Sequence, residues 1–327
     1  MNILLAIPKI LPVFQYGGTE RIVWWLGKEL SALGHNVYFL ARPGTHSEFA
    51  KIIPYRNDIS INKQIPQEIE IVHLHFEPEE IPEKPYLLTN HGNAIASKTF
   101  DINTVFISRD HAMRHHSETF VYNGIDPEEY GSPDLHKKRF YLHFLAKAAW
   151  RLKNLRGAIT IARKSGYLLK VLGGTRINIK MGVRITLDPK IRFYGMVSGT
   201  RKNSLINGSK ALLFPVLWHE PFGLSVIESL YFGCPVFGTP YGSLPELIPR
   251  QCGYLSDSQS EIVNALEYLD EYNRKTCYEY VMDNFTSRKM AADYLKLYNK
   301  ILSGEKLNSS NPYYEQIAHP RFLPFYK

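Results

Sequence analysis

Short apolar runs alternate along this chain with segments in which apolar residues recur every three or four positions. The first such pair is a strand at residues 3–7 and a helix over 21–33, with Ile22, Leu26, Leu30 and Leu33 on one face. Between them lies a loop, Tyr16-Gly17-Gly18-Thr19-Glu20. Gly34 is a good helix stop, and residues 36–41 read as a second strand, which makes a βαβ opening. Further strands are predicted at 69–75, 85–89 and 104–108, with a short one at 119–122. Asn123-Gly124-Ile125-Asp126 reads as a turn, and residues 130–138 are polar with Pro and Gly, which sets a domain boundary at 135/136.

The second half restarts the alternation. A strand at 140–145 is followed by a helix over 154–164, with Leu155, Ala158, Ile159 and Ala162 on one side. Strands follow at 168–172, ending in Gly173-Gly174, and at 191–194, before Gly195. A helix at 203–209, strands at 211–216 and 236–238, and helices at 260–269 and 287–302 complete it. The pattern predicts an α/β chain of two doubly wound Rossmann-like domains, residues 1–135 and 136–303, facing across a cleft with ligands at the carboxyl ends of strands. The tail, 304–327, turns from polar to aromatic (Tyr313, Tyr314, Phe322, Phe325, Tyr326) and is expected to pack back on the N-terminal domain. A membrane-touching tail is the less favoured reading.

The richest local signal is Trp218-His219-Glu220-Pro221-Phe222-Gly223-Leu224-Ser225-Val226-Ile227-Glu228. An apolar strand leads in, Pro221 and Gly223 punctuate a turn, and helical spacing follows until Gly233 and Pro235. The helix start offers backbone N–H groups and a positive dipole end to a phosphate. Carboxylates on either side of it, Glu220 and Glu228, are good acceptors for hydroxyls. Phosphates in the middle and hydroxyl-rich groups at both ends describe a nucleotide-sugar.

Composition adds little to this. The chain has 327 residues, 44% of them hydrophobic and 21% charged, as in ordinary globular proteins. No run of about 18 apolar residues suggests a membrane span. The start is too short and too broken by Pro8, Lys9 and Pro12 for a signal peptide. Three widely spaced cysteines fit reduced thiols, so a cytoplasmic location is expected. The net charge of +8 reads first as a solubility surface or a match to an anionic ligand, next as peripheral contact with anionic lipid, and last as nucleic-acid binding. The longest basic run is only Lys137-Lys138-Arg139, and no nucleic-acid motif accompanies it. His73 and His75 alternate on one strand face, but no third ligand at sensible spacing turns them into a metal site.

An ordered series of motifs resembles the family 4 glycosyltransferases, retaining enzymes of the GT-B fold. It comprises Gly17-Gly18-Thr19-Glu20-Arg21, Gly34-His35-Asn36-Val37, Ile71-Val72-His73-Leu74-His75, Thr89-Asn90-His91-Gly92, Val121 to Asp126, Glu220 to Glu228, and Gly238-Thr239-Pro240-Tyr241-Gly242-Ser243-Leu244-Pro245-Glu246. The resemblance implies that Glu220 contacts hydroxyls of the donor sugar and Glu228 holds the nucleotide ribose. The amides of Phe222, Gly223 and Leu224 would meet the diphosphate. The family's basic pair looks like Lys147 and Lys153, although Ala146 replaces its usual Gly, Lys147 its usual Arg, and the spacing is one residue longer. Arg151 therefore stands as an alternative second cation. Gly17 and Gly18 resemble the loop that admits the donor's distal phosphate, His91 the acceptor-domain histidine near the sugar, and Gly195 with Met196 the frame of the base.

The implied reaction is transfer of a glycosyl group from a nucleotide-diphosphate sugar to an acceptor hydroxyl with retention, in glycan or glycoconjugate synthesis. The resemblance implies a metal-independent hexosyltransferase with no cofactor beyond the donor, a uridine diphosphate sugar in preference to guanosine diphosphate mannose. His91, Glu220 and Lys147 are the expected catalytic residues. The acceptor is a glycan, a lipid-linked sugar or a small molecule. A nucleotide-sugar hydrolase or epimerase of the same fold, or an inactive nucleotide-sugar-binding protein, is the alternative. A dehydrogenase is disfavoured because no G-x-G-x-x-G follows a predicted strand.

Overall fold

The computed structural model describes residues 1–13, 17–179, 183–316 and 322–327; Tyr16 of the glycine loop and residues 317–321 of the tail lie outside them. The chain divides into two compact units. Each is built on a six-stranded sheet.

In the first sheet the strands lie in the order Ala50–Pro54, Asn36–Ala41, Asn2–Ile7, Ile71–Leu74, Tyr86–Asn90, Thr104–Phe106. In the second the order is Ile191–Phe193, Leu168–Leu172, Tyr141–Leu145, Ser209–Phe214, Val236–Gly238, Gly253–Leu255. Every neighbouring pair is parallel. Both orders run outward from a central first strand and reverse beside it, which is the doubly wound arrangement the alternation predicts.

Strands covered on both faces must be apolar throughout, and Ile3, Leu4, Leu5 and Ala6 are fully buried. Helix Gly18–Ala32 lays Ile22, Val23, Leu26 and Leu30 on that sheet. Its approach is close enough that a Cβ on Gly27 would lie 2.5 Å from the Phe39 ring. In the second unit, helix Leu155–Lys164 buries Leu155, Ala158, Ile159, Ile161 and Ala162.

Several elements differ from expectation. Residues 119–122 make only an isolated bridge, Phe106 with Phe120. The edge strands Ala50–Pro54 and Gly253–Leu255 have half-buried patterns too short for a periodicity signal. Helix Arg274–Asn284 fully buries only Cys277 and Val281, so its stripe is too thin to read. The helix expected at 203–209 spans Gly199–Asn207, and Ser209 already opens the next strand.

The expected domain limits also need correction. The first unit takes Met1–Asp126 and resumes at Phe285, whereas the second begins at Pro127. Helix Ser287–Leu302, expected in the second domain, belongs to the first because its buried Tyr294 and Tyr298 hydroxyls bond Thr89 at 2.9 Å and His73 at 2.8 Å. Ser287 N–H also donates to the Ile125 carbonyl at 2.7 Å. A Cβ on Gly124 would lie 2.1 Å from the Thr286 carbonyl oxygen, so that junction tolerates no side chain. The tail divides rather than packing on one domain. Tyr313–Tyr314 pairs antiparallel with Lys98–Thr99 in the first unit. Tyr326, in contrast, exchanges backbone hydrogen bonds with Asp257 and Gln259 in the second. Among the described residues no helix is long and apolar enough to cross a membrane.

Candidate functional site

Open parallel sheets bind ligands where the strand order reverses, outside the carboxyl ends of the strands. In the second unit that place lies between Tyr141–Leu145 and Ser209–Phe214. The chain leaves the first of these into Ala146 to Asn154 and the second into Pro215 to Gly223, so the two stretches singled out in the sequence emerge side by side. Gly173, with φ +129°, sits so close to the first loop that a Cβ would fall 2.0 Å from the Ala146 carbonyl oxygen.

Glu220 is buried and accepts from Lys153 Nζ at 2.6 Å and from the Trp218 indole N–H at 2.7 Å. Both bonds fall on Oε2, which leaves Oε1 to accept from a hydroxyl. Lys153 is itself buried, with its ammonium 4.9 Å from the Trp218 ring and 5.2 Å from the Phe214 ring. Of the two candidates for the second cation, Lys153 meets the carboxylate. Arg151 is exposed and stacks its guanidinium 4.9 Å over Phe322. Lys147 is exposed at the strand end, 5.4 Å from the Trp150 ring.

The backbone of Glu220 is fixed by the later glycine motif. Its carbonyl accepts from Ser243 N–H at 2.9 Å, while Ser243 Oγ donates to the Phe222 carbonyl at 2.6 Å. Gly242, at φ +66°, lies so close that a Cβ would be 2.3 Å from Glu220 N. Gly223 takes a left-handed conformation, φ 94°, and starts helix Leu224–Tyr231 with no side-chain cap. Phe222 is buried beneath the turn and Leu224 is half-buried.

Glu228, one turn into that helix, is also buried. Its Oε1 accepts from Lys202 Nζ at 2.5 Å and from the Tyr130 hydroxyl at 2.6 Å. Sequence reasoning missed both partners. A lysine as buried as Lys202 is rare unless paired, but nothing in the polar helix Gly199–Asn207 announces it. Trp218 was part of the motif without a role. Gly195, φ +69°, follows strand Ile191–Phe193 and pairs with the turn after Leu168–Leu172, donating to the Gly174 carbonyl at 3.1 Å and accepting from Gly173 N–H at 2.7 Å, and Met196 beside it is exposed.

The first unit has its own reversal, between Asn2–Ile7 and Ile71–Leu74. Gly17 caps helix Gly18–Ala32, and a Cβ on it would press on Glu20, whereas Gly18 faces open space. His75 and His91 follow the next two strands, with His75 Nδ1 2.9 Å from His91 Nε2. Both line a cavity of about 210 Å³ with Thr89, Asn90, Lys98 and Asp101. Burial pushes the pKa of His91 down to about 4. Burial, then the neighbouring His73 and His91, depresses His75 well below the usual imidazole range. His73 spends both nitrogens on hydroxyls, Tyr298 at 2.8 Å and Thr89 at 2.7 Å, which is the bonding of a structural histidine. Among the described residues no group of three or more His, Cys, Asp or Glu side chains is placed to hold a metal ion.

Residues 136–280 match the model of the family described as glycosyl transferases group 1. No curated protein matches the sequence. Among solved structures the chain is similar to AviGT4, a glycosyltransferase involved in avilamycin A biosynthesis, at 20% identity and a TM-score of 0.72, covering 93% of this chain and 98% of that one. Sucrose-phosphate synthase from Thermosynechococcus elongatus aligns at 15% identity and a TM-score of 0.69, over 93% of this chain and 100% of its own. Anabaena HepE, solved in complex with UDP and glucose, aligns at 12% identity and a TM-score of 0.60, over 90% of this chain and 98% of its own. The two Rossmann-like units have the fold of the GT-B glycosyltransferases. The match to the group 1 model and this shared fold support a glycosyltransferase.

Proposed function

We propose that this protein is a retaining, metal-independent hexosyltransferase that moves a sugar from a nucleoside-diphosphate sugar to an acceptor hydroxyl in glycan or glycoconjugate synthesis. The observation that carries this reading is the pair of buried carboxylates around the start of helix Leu224–Tyr231, each held by a lysine and an aromatic donor. Glu220, held through Oε2 alone by Lys153 and Trp218, is preorganised to accept a hydroxyl at Oε1.

Glu220 would receive hydroxyls of the sugar through Oε1, and Glu228 the ribose. Breaking the anomeric bond places negative charge on the leaving diphosphate. Lys147, Lys153 and the backbone N–H groups of Phe222, Gly223 and Leu224 are proposed to stabilise that charge as it develops. Gly195 and Met196 would frame the base. In the first unit, Gly17 and Gly18 would admit the distal phosphate, and His91, neutral at physiological pH, would orient the sugar or the acceptor through a hydrogen bond without adding charge. A uridine diphosphate sugar is the proposed donor; HepE was solved with UDP and glucose, and starch synthase IV, of the same fold, with ADP and acarbose.

The test is a donor screen by thermal shift, followed by transfer assays with the donor that stabilises the protein. A donor at about 100 times its Kd stabilises by about 2.7 kcal/mol. Glu228→Ala should then raise the donor KM, and unchanged turnover at low donor concentration would remove its ribose role. Inverted product anomers would overturn retention, and release of free sugar whether or not acceptor is present would identify a hydrolase instead.

A further inference from the structure

The second unit carries a short antiparallel hairpin, Ile177–Asn178 with Arg184–Ile185, in which Ile177 faces Ile185 and Asn178 faces Arg184. Side chains alternate across such a ribbon. Here the alternation is inverted. Ile177, Ile179, Val183, Ile185 and Leu187 stand 60%, 76%, 63%, 61% and 85% exposed, while Arg184 and Thr186 between them are buried. The polar face is the one turned to the protein, and it is well tied down. Arg184 donates to Thr186 Oγ1 and to the Thr175 carbonyl, each at 2.8 Å. Arg156, from helix Leu155–Lys164, donates to the Val183 carbonyl at 2.8 Å, and Arg176 donates to the carbonyls of Thr186 and Asp188 at 3.1 Å. The aliphatic face is therefore presented by a braced element.

Charge sits around it. Residues 151–192 contain eleven Lys and Arg and a single acidic residue, Asp188, in a chain whose whole net charge is +8. The rest of the molecule is thus slightly acidic, and the basic character is concentrated in the stretch that carries the hairpin. Arg156, Arg163, Lys164, Arg176, Lys190 and Arg192 are exposed.

We propose that this hairpin docks the protein on an anionic phospholipid bilayer. Its aliphatic face would enter the boundary between headgroups and acyl chains, and the surrounding Lys and Arg side chains would meet the lipid phosphates. A contiguous exposed apolar patch marks an interaction surface, and its basic surround decides the occupant. A second copy of the chain would bring two positive fields together. A nucleic acid would satisfy the charge but leave five aliphatic side chains without a role, since bases stack on aromatic ones. Anionic lipid satisfies both, through apolar burial and electrostatic attraction together. The hairpin shares no residue with the candidate donor site, so the proposal stands or falls separately from the transferase reading.

The experiment is co-sedimentation of the full chain with vesicles of phosphatidylcholine alone and of phosphatidylcholine with phosphatidylglycerol, at low and high salt. Circular dichroism and thermal unfolding would confirm that each variant is folded. The expected result is binding to the anionic vesicles that weakens with salt and is absent on neutral ones. Ile177→Ser/Ile185→Ser/Leu187→Ser should abolish it, and Lys190→Glu/Arg192→Glu should weaken it by more than ~10-fold, since each basic residue near the surface contributes about fivefold. These side chains are exposed, so both variants should keep the wild-type Tm. The proposal is overturned if the wild-type chain fails to sediment with anionic vesicles. It is also overturned if the triple serine variant sediments as well as wild type, or if the hairpin proves to hold a dimer that the serine variant dissociates while vesicles are ignored.

Discussion

Lys202 Nζ lies 2.5 Å from Glu228 Oε1, and both side chains are almost fully buried. Two charges withdrawn from water repay their desolvation only by holding each other, so removing one partner is far worse than removing both. Lys202→Ala is expected to destabilise the second unit by about 3–5 kcal/mol. Lys202→Met/Glu228→Gln should recover much of that stability while leaving donor binding impaired. A double-mutant cycle in urea, combined with donor titration, checks both. A loss in the double variant equal to the sum of the Lys202→Met and Glu228→Gln single losses would show that the pair is not coupled.

Glu220 offers a cleaner functional contrast, because its two cation candidates occupy different places. Lys153 touches the carboxylate, whereas Arg151 stacks on Phe322. Lys153→Ala is expected to lower kcat by about 10²–10³-fold, the range for loss of one preorganised donor. Arg151→Ala should leave kcat within about threefold, as an exposed side chain that stacks on Phe322 and bonds neither Glu220 nor Glu228. Trp218→Phe, which keeps an aromatic ring and removes the N–H, should cost about 1.5–3 kcal/mol in kcat/KM, as for a hydrogen bond to a charged group. Steady-state kinetics with a common donor ranks the three, and an Arg151 variant as damaged as the Lys153 one would contradict the assignment.

How much of this was legible before the fold depended on sequence separation. Glu220 and Glu228 lie within one turn and one helix, so their bracketing of a helix start follows from local rules. Lys202 and Tyr130 reach Glu228 across 26 and 98 residues, and no local pattern carries such a contact. Helix Ser287–Leu302 was readable as a helix from its apolar stripe. Its membership of the first unit rests on Tyr294 and Tyr298 meeting Thr89 and His73, more than 200 residues away. The alternation from Ile177 to Leu187 is visible in the sequence, but period-two patterning does not say which face is covered. Only the buried Arg184 and Thr186 reveal that the apolar face is the outer one.

Gly242 tests the idea that a second glycine motif positions the first carboxylate. Its φ of +66° disfavours any L side chain, and the new Cβ would lie 2.3 Å from the backbone nitrogen of Glu220. Gly242→Ala should therefore lower Tm and, beyond that, reduce kcat in the population that remains folded, because the turn carrying Glu220 must shift. A strained backbone position of this kind costs on the order of 1–3 kcal/mol. Activity per folded molecule equal to wild type would mean that the loop adjusts without moving the carboxylate.

The histidines of the first unit set its response to acid. His91 has a folded-state pKa near 4 because burial disfavours its charged form, and burial holds His73 and His75 well below their ordinary value. His75 and His91 stand 2.9 Å apart, so charging both would place two cations in contact. In the unfolded chain each imidazole takes up its proton near pH 6.5. The folded state binds fewer protons than the unfolded one below that pH, so stability present above 6.5 is lost as pH falls from 6.5 towards 4. Each such histidine contributes a slope of about 1.4 kcal/mol per pH unit over that window. Urea midpoints measured between pH 7.5 and 4.5 should fall steeply for the wild-type chain. His91→Gln, which keeps a hydrogen-bonding side chain without the titration, should flatten the slope by about one histidine's share. A midpoint unchanged between pH 7 and 5 would mean that these imidazoles are solvated enough to charge in place.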